Sequence, residues 1–231
     1  MFKSTLAASA LALLTLFSST IPAFAAGTSL TSDSTVSQPV TAVATTVLSD
    51  EERDALQFMR EEEKLAHDVY VTLYDEWGLR VFNSIAASEQ KHTDSVAMLL
   101  SRYSLSDPVA GNVLGEFTNP DLQALYDDLI DLGSTSIADA LKVGAAIEEI
   151  DILDLKVRMA ETTNADILRV YGNLLAGSEN HLRSFVATLE SQTGATYVPQ
   201  YMDAAAYDAI INGAASGQRG AGSNGGNGRK P

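Results

Sequence analysis

The chain has 231 residues, carries 30 Asp and Glu against 15 Lys and Arg for a formal net charge of −15, and contains no cysteine. That acidity argues against nucleic acid or an anionic membrane surface as a partner. The lack of cysteine excludes disulfides, thiolate zinc sites and iron–sulfur clusters, so the fold rests on its core or on its core plus a metal held by oxygen and nitrogen.

The first segment reads as a signal peptide over residues 1–25. Lys3 precedes an apolar run from Leu6 to Phe17, and Ala23-Phe24-Ala25 has the small-residue pattern of a cleavage site. The run is short for a membrane span, no later segment is long and apolar enough to be one, and the mature protein is expected in a periplasm, on a cell surface or in the medium. Residues 26–47 are rich in Thr, Ser and Val without helical period and read as a flexible linker. The domain is expected over residues 48–212, and the Gly-rich stretch 213–231 reads as a disordered tail.

Within the domain the pattern is helical throughout. Helix one starts at Ser49, whose spacing to Glu52 makes a capping box, and runs to about Glu76 before Gly78. Helix two spans about Asn83 to Tyr103, with Pro108 beyond its end. A connection of about 30 residues follows, in which Asn119-Pro120 opens a short amphipathic helix bearing Leu122, Leu125, Tyr126 and Leu129. Helix three starts near Ser136 and runs to about Ala160. Helix four starts near Thr163, with Asp166 at the capping-box position, and ends near Gly194; a short Ala-rich helix is expected over Asp203 to Ile211. Four long helices with one long crossover between the second and third, itself carrying a short helix, describe an all-α four-helix bundle of the ferritin type. The crossover lets helix three run parallel to helix two.

Each residue turns an α-helix by about 100°, which places the polar residues relative to each apolar stripe. Glu62 falls inside the stripe of helix one, Glu63 at its edge and Glu61 outside. Glu89 and His92 both fall inside that of helix two. Glu148 lies mid-stripe on helix three with Asp151 at the edge, while Glu149 points away. On helix four Ser178 is inside, His181 is towards one edge and Glu179 points away. Inward ionisable groups are costly unless compensated, and a metal is a common compensation. Carboxylate-bridged two-metal bundles use one Glu from each of two helices and Glu-x-x-His from each of the other two. Glu62, Glu89-x-x-His92, Glu148 and Ser178-x-x-His181 match five of those six positions in chain order, with Ser178 where a Glu would stand. The expected ligands are therefore Glu62, Glu89, His92, Glu148 and His181, with Glu63, Asp151 and Ser178 as secondary candidates. Carboxylates and imidazoles of this kind suit iron, with manganese or zinc as alternatives. His67 lies away from the Glu62 face and is expected at the surface or between helices. Tyr70, Tyr103 and Tyr171 are expected in the core, where they can hydrogen-bond to ligands.

The segments REEEKLAHDVY from Arg60, SEQKH from Ser88, AIEEID from Ala146 and GSENHLR from Gly177 resemble those of the ferritin-like "domain of unknown function 2202" proteins, over about residues 50 to 195. The resemblance implies a ferritin-like bundle and a two-metal centre, with iron as its metal, and no established reaction. Against the wider ferritin and rubrerythrin group the chain departs at Ser178, where Asp151 or Glu63 is the available substitute. It also lacks the Cys-x-x-Cys module with which rubrerythrins pass electrons. The leading expectation is an exported metal protein reacting Fe(II) with oxygen or peroxide, as a ferroxidase or peroxidase-like oxidoreductase. The alternatives are a metal-scavenging module without turnover and a structural bundle whose Glu–His network satisfies itself. Flanking tails and a terminal helix favour a monomer or homodimer over a storage cage. No residue is assigned a catalytic role.

Overall fold

The computed structural model describes residues 47–217. The expected signal peptide, all but the last residue of the linker, and the tail beyond Gly217 lie outside the described residues. Six helices and no strand occur among the described residues: α1 (Asp50–Trp77), α2 (Arg80–Arg102), α3 (Pro120–Gly133), α4 (Ile137–Glu161), α5 (Ala165–Thr193) and α6 (Ala204–Gly217).

Local chemistry sets most of these boundaries. Ser49 accepts from the Glu52 amide while the Glu52 carboxylate accepts from the Ser49 amide, so the expected capping box opens α1. Gly78 closes α1 in the left-handed region (φ 65°), where a side chain would be strained. Only Gly78 and Leu79 separate α1 from α2, so α2 begins at Arg80, ahead of the expected Asn83 and without a side-chain cap. Asn119 caps α3 and Pro120 occupies its first turn. The cap of α5 is Asn164, accepting from the Asp166 amide, one residue later than expected. Helix α6 continues to Gly217, so the first residues assigned to the tail are helical.

The ends of the helices fix their directions. At one end the Thr162 hydroxyl, just past α4, donates to Glu52 in the first turn of α1. There too the Tyr103 hydroxyl, at the end of α2, meets Asn164 Oδ1 at 3.1 Å at the start of α5. At the other end Trp77 Nε1 donates to the Gly133 carbonyl at 3.0 Å, and the Ser134 hydroxyl donates to Glu76 at 2.6 Å. Helices α2 and α4 therefore run one way and α1 and α5 the other. The long helices pack as two hairpins, α1 on α2 and α4 on α5, joined face to face through α1 against α4 and α2 against α5, while α3 lies across α1 and α4.

The apolar core is divided. One cluster holds Tyr70, Leu73, Phe82, Leu141 and Phe185, with aromatic ring centroids 5.0–6.3 Å apart. The other holds Leu56, Met59, Val96, Leu99, Leu155, Tyr171 and Leu174 near the opposite end. Each of these buried side chains contributes about 1.5–3 kcal/mol of transfer free energy. Between the clusters, on all four long helices, lies a buried polar layer.

Candidate metal centre

The polar layer is built by short helical spacings. On α1 Glu62 and Glu63 sit between Met59 of one cluster and Leu65 of the other. On α2 Glu89 and His92 sit between Ala86 and Val96, one turn apart on one face. On α4 Glu148, Asp151 and Asp154 form a ladder three residues apart, and on α5 Ser178 and His181 repeat that spacing. Glu63, Glu89 and Glu148 are each no more than 2 % exposed and Ser178 is fully enclosed.

Glu89 is the hub. Its Oε2 lies 2.7 Å from His92 Nδ1 and its Oε1 lies 2.6 Å from His181 Nδ1. Glu63 Oε2 reaches His92 Nδ1 at 3.3 Å, and Glu148 Oε2 reaches His181 Nδ1 at 3.5 Å. The two imidazole rings stack with centroids 5.4 Å apart. One donor atom each from Glu89, His92 and His181 falls within 4.8 Å of the others, a grouping that could hold a metal ion. Glu89 Oε1, His92 Nδ1 and His181 Nδ1 are nonetheless without a well-formed hydrogen bond. Close approach with poor hydrogen-bond direction is what results when lone pairs face a common third point rather than one another. Glu62 Oε2, Glu63 Oε1 and Asp151 Oδ1 are likewise buried without a hydrogen-bond partner.

Supporting groups hold this layer in place. Tyr70 donates to Glu148 Oε1 at 2.6 Å and fixes that carboxylate from the apolar side. The Ser178 hydroxyl donates to Asp151 Oδ2, so the serine orients an acid brought from α4. At Gly177 an added Cβ would stand 2.6 Å from His92 Cε1 and Nε2. That glycine is the floor on which His92 rests.

The charges explain the protonation the layer prefers by itself. Burial would raise Glu89, but the imidazoles of His181 and His92 against its two oxygens outweigh it and hold the carboxyl at about 2. Burial would lower both imidazoles, but Glu63 and Glu89 raise His92 to about 11, and Glu148 and Glu89 raise His181 to about 10. Burial pushes Glu63 up to about 8 despite His92. Burial and the surrounding acids push Glu62 and Asp151 well above the carboxylate range. The layer thus gathers more negative charge than its two imidazoles offset, and it demands cations or protons.

Not every expected ligand lies where the wheel put it. Glu62, expected at the heart of the set, turns towards Asp151 and Asp154, and the carboxyls of Glu62 and Asp154 can bond only by sharing a proton. Glu63, expected at the edge, is the α1 acid that meets His92. Helix α1 is covered by α2, α3 and α4, so its buried arc is wider than one stripe. Glu89, His92, Glu148 and His181 come together, and Asp151 lies beside Ser178. Asp154 was missed, although its three-residue spacing from Asp151 was visible. Tyr103 bonds to Asn164 away from the layer, and Tyr171 is buried with no hydrogen-bond partner for its hydroxyl.

Glu61 and Glu149 correct the expectation that they point away to solvent, for both are buried. Glu61 Oε2 accepts from the amides of Thr118 and Asn119 at 2.9 Å each, pinning the crossover. Glu149 accepts from the Tyr197 hydroxyl at 2.6 Å and from the amides of Gln200, Tyr201 and Met202 at 2.8–3.1 Å, pinning the segment before α6. His67 is half-buried and bonds to Asp68 at 2.8 Å, apart from the layer as expected.

The chain is similar to proteins whose descriptions assign no role. A family model described as "Uncharacterized protein domain (DUF2202)" matches residues 52–214. The "Uncharacterized protein MJ0754" of Methanocaldococcus jannaschii is 49% identical over 165 residues, 71% of this chain and 89% of that protein. The crystal structure of hypothetical protein MJ0754 from Methanococcus jannaschii aligns with a TM-score of 0.70 and 47% identity, covering 78% of this chain and 98% of that one.

Proposed function

The chain belongs to the DUF2202 family, and we propose that it is an exported ferritin-like protein whose buried layer holds two divalent cations, iron first, and reacts Fe(II) with a small oxidant. The observation that carries this reading is Glu89, with one oxygen at each of two imidazole nitrogens that lack a well-formed hydrogen bond. A carboxylate so placed can bridge two ions and offset their repulsion.

Glu63 and His92 would hold one ion, Glu148 and His181 the other, and Glu89 would lie between them. Asp151, oriented by Ser178, supplies the carboxylate that the Ser178 position lacks. Iron bound there would supply one-electron redox chemistry at each ion. The protein's own part is to orient and to exclude water. Tyr70 fixes Glu148, Gly177 seats His92, and the two apolar clusters keep solvent from the layer. His92 and His181 must lose protons for Nδ1 to ligate, so binding releases protons. Carboxylate and imidazole donors favour iron or manganese over the softest metals. Among the described residues no helix is long and apolar enough to cross a membrane. The N-terminal pattern from Lys3 to Ala25 supports export.

The test is metal content by mass spectrometry on protein purified without chelator, beside the Glu89→Ala/His92→Ala double variant, followed by oxygen uptake after anaerobic Fe(II) loading. About two ions per chain, lost in the variant, and uptake above that of free Fe(II) are expected. Metal without uptake would reduce the protein to a binding module. No metal after loading would leave a structural bundle.

A further inference from the structure

An apolar cavity opens onto the polar layer from the side covered by the crossover helix. Leu65 of α1, Leu122 and Leu125 of α3, and Ile147 and Ile150 of α4 form its walls. Its inner end is Glu62, Glu63 and Asp151, three acids that each have a buried oxygen lacking a hydrogen-bond partner. It offers about 20 Å³ for the centre of a water-sized molecule, room for about one such molecule. Nothing on the walls donates or accepts a hydrogen bond through a side chain. A crossover helix that served only to close the fold could pack its leucines flush against α1 and α4; here Leu122 and Leu125 stand over a void beside charged groups.

We propose that this cavity is the seat and entry point of dioxygen, which makes dioxygen rather than hydrogen peroxide the oxidant; this rests on the metal-holding, oxidant-consuming reading above. Dioxygen has no hydrogen bonds to lose on leaving water. Hydrogen peroxide has two donors and several acceptors, and entering an apolar void strips them without replacement. Glu63 and Asp151 do not supply that replacement, because in the metal-holding reading their free oxygens face the cations, and the Glu62 carboxyl is paired with that of Asp154. Away from those acids the lining is mostly leucine and isoleucine, the lining of voids that stay dry and take up apolar gases. The cavity is lined by Glu63 of α1 and Asp151 of α4, acids of the layer from both hairpins, so its occupant lies against the layer.

Xenon tests the cavity independently of oxidant consumption. Crystals of the full chain, loaded anaerobically with Fe(II) and pressurised with xenon, are expected to show one gas site between Leu65, Leu125 and Ile147. An empty or water-filled cavity would overturn the proposal. In iron-loaded protein Leu125→Trp, which fills the void, is expected to slow dioxygen uptake about tenfold with iron content and peroxide consumption unchanged. Equal slowing of both oxidants, or of neither, would also overturn it. Xenon bound in a wild-type protein that consumes no oxidant identifies the reaction reading as the failure, and the proposal falls with it. No xenon in a protein that does consume dioxygen identifies the cavity assignment as the failure.

Discussion

Glu148 and Glu149 are neighbours on one helix, both almost completely enclosed, yet they live in opposite electrostatic worlds. Glu149 is surrounded by donors: a tyrosine hydroxyl and three backbone amides converge on its two oxygens. Glu148 faces other acids and is raised by burial and by Glu89. The same contrast divides α1, where Glu61 is satisfied by two amides while Glu62 and Glu63 each keep a buried oxygen without a hydrogen-bond partner. Burial of a carboxylate therefore does not mark a site here; burial with fewer donors than acceptor oxygens, among other acids, does. The satisfied acids hold loops onto the bundle, and the unsatisfied ones are what a cation would repay.

Five experiments sharpen or break that contrast. The largest effect is expected for Glu89→Ala, which removes the group touching both imidazoles. Metal content should fall to background, and the stabilisation that bound metal gives, about 3 kcal/mol at a hundredfold excess over Kd, should vanish from melts with and without chelator. Glu149→Ala should do the reverse. It leaves a hydroxyl and three amides without their acceptor and should cost about 3 kcal/mol in urea unfolding, with metal per folded chain unchanged; loss of metal in this variant would erase the distinction between the two acids.

Next is a change of sign. Glu63→Gln is expected to stabilise the chelated protein at pH 8 by on the order of 1 kcal/mol, because it removes a charge that burial penalises. A destabilised variant would mean that Glu63 is satisfied after all. The pH profile of the chelated protein extends the same logic. In the fold His92 and His181 are raised to about 11 and about 10 and Glu63 to about 8, from ordinary values of 6.5 and 4.5. The folded chain thus holds more protons than the unfolded one between pH 5 and 8, and stability falls as pH rises. The imidazole contribution is full below 6.5 and is lost as pH passes 10 to 11, whereas that of Glu63 fades from 4.5 to 8. Melting temperatures across pH 5–8 should therefore decline with chelator and decline less with metal, since metal affinity rises as protons leave. The smallest effect is expected for Ser178→Ala. It frees Asp151 and should weaken metal binding about tenfold, measured by competition with a chromophoric chelator, with little change in the metal-free melt.

These expectations rest on residues whose placement was unevenly legible in the sequence. The long helices, the capping box at Ser49, the helix opened by Pro120 and the parallel course of α2 and α4 follow from local signals, since capping and periodicity act within one or two turns. Glu89, His92, Glu148 and His181 were legible for the same reason, because three-residue spacing on an apolar face is a local pattern. Glu62 and Glu63 exchanged roles because the rotation of α1 is set by three neighbouring helices, which no single wheel contains. Glu61 and Glu149 were read as solvent-facing because the segments that cover them, around Asn119 and Tyr197–Met202, come from about 50 residues away in sequence. The Ser178 departure left Asp151 and Glu63 as open substitutes; the side-chain contact between Ser178 and Asp151 shows which acid lies there.

The antiparallel packing of α1 on α2 and α4 on α5 has a kinetic consequence. Each hairpin forms from contacts near in sequence and is expected to assemble early, whereas contacts between the hairpins require the crossover to close. Glu63, Glu89 and His92 belong to the first hairpin, Glu148, Asp151 and His181 to the second. The donor set is therefore complete only after the last docking step. Cations held by donors of both hairpins would act as a late latch, leaving the rate of hairpin formation alone while lengthening the lifetime of the docked chain.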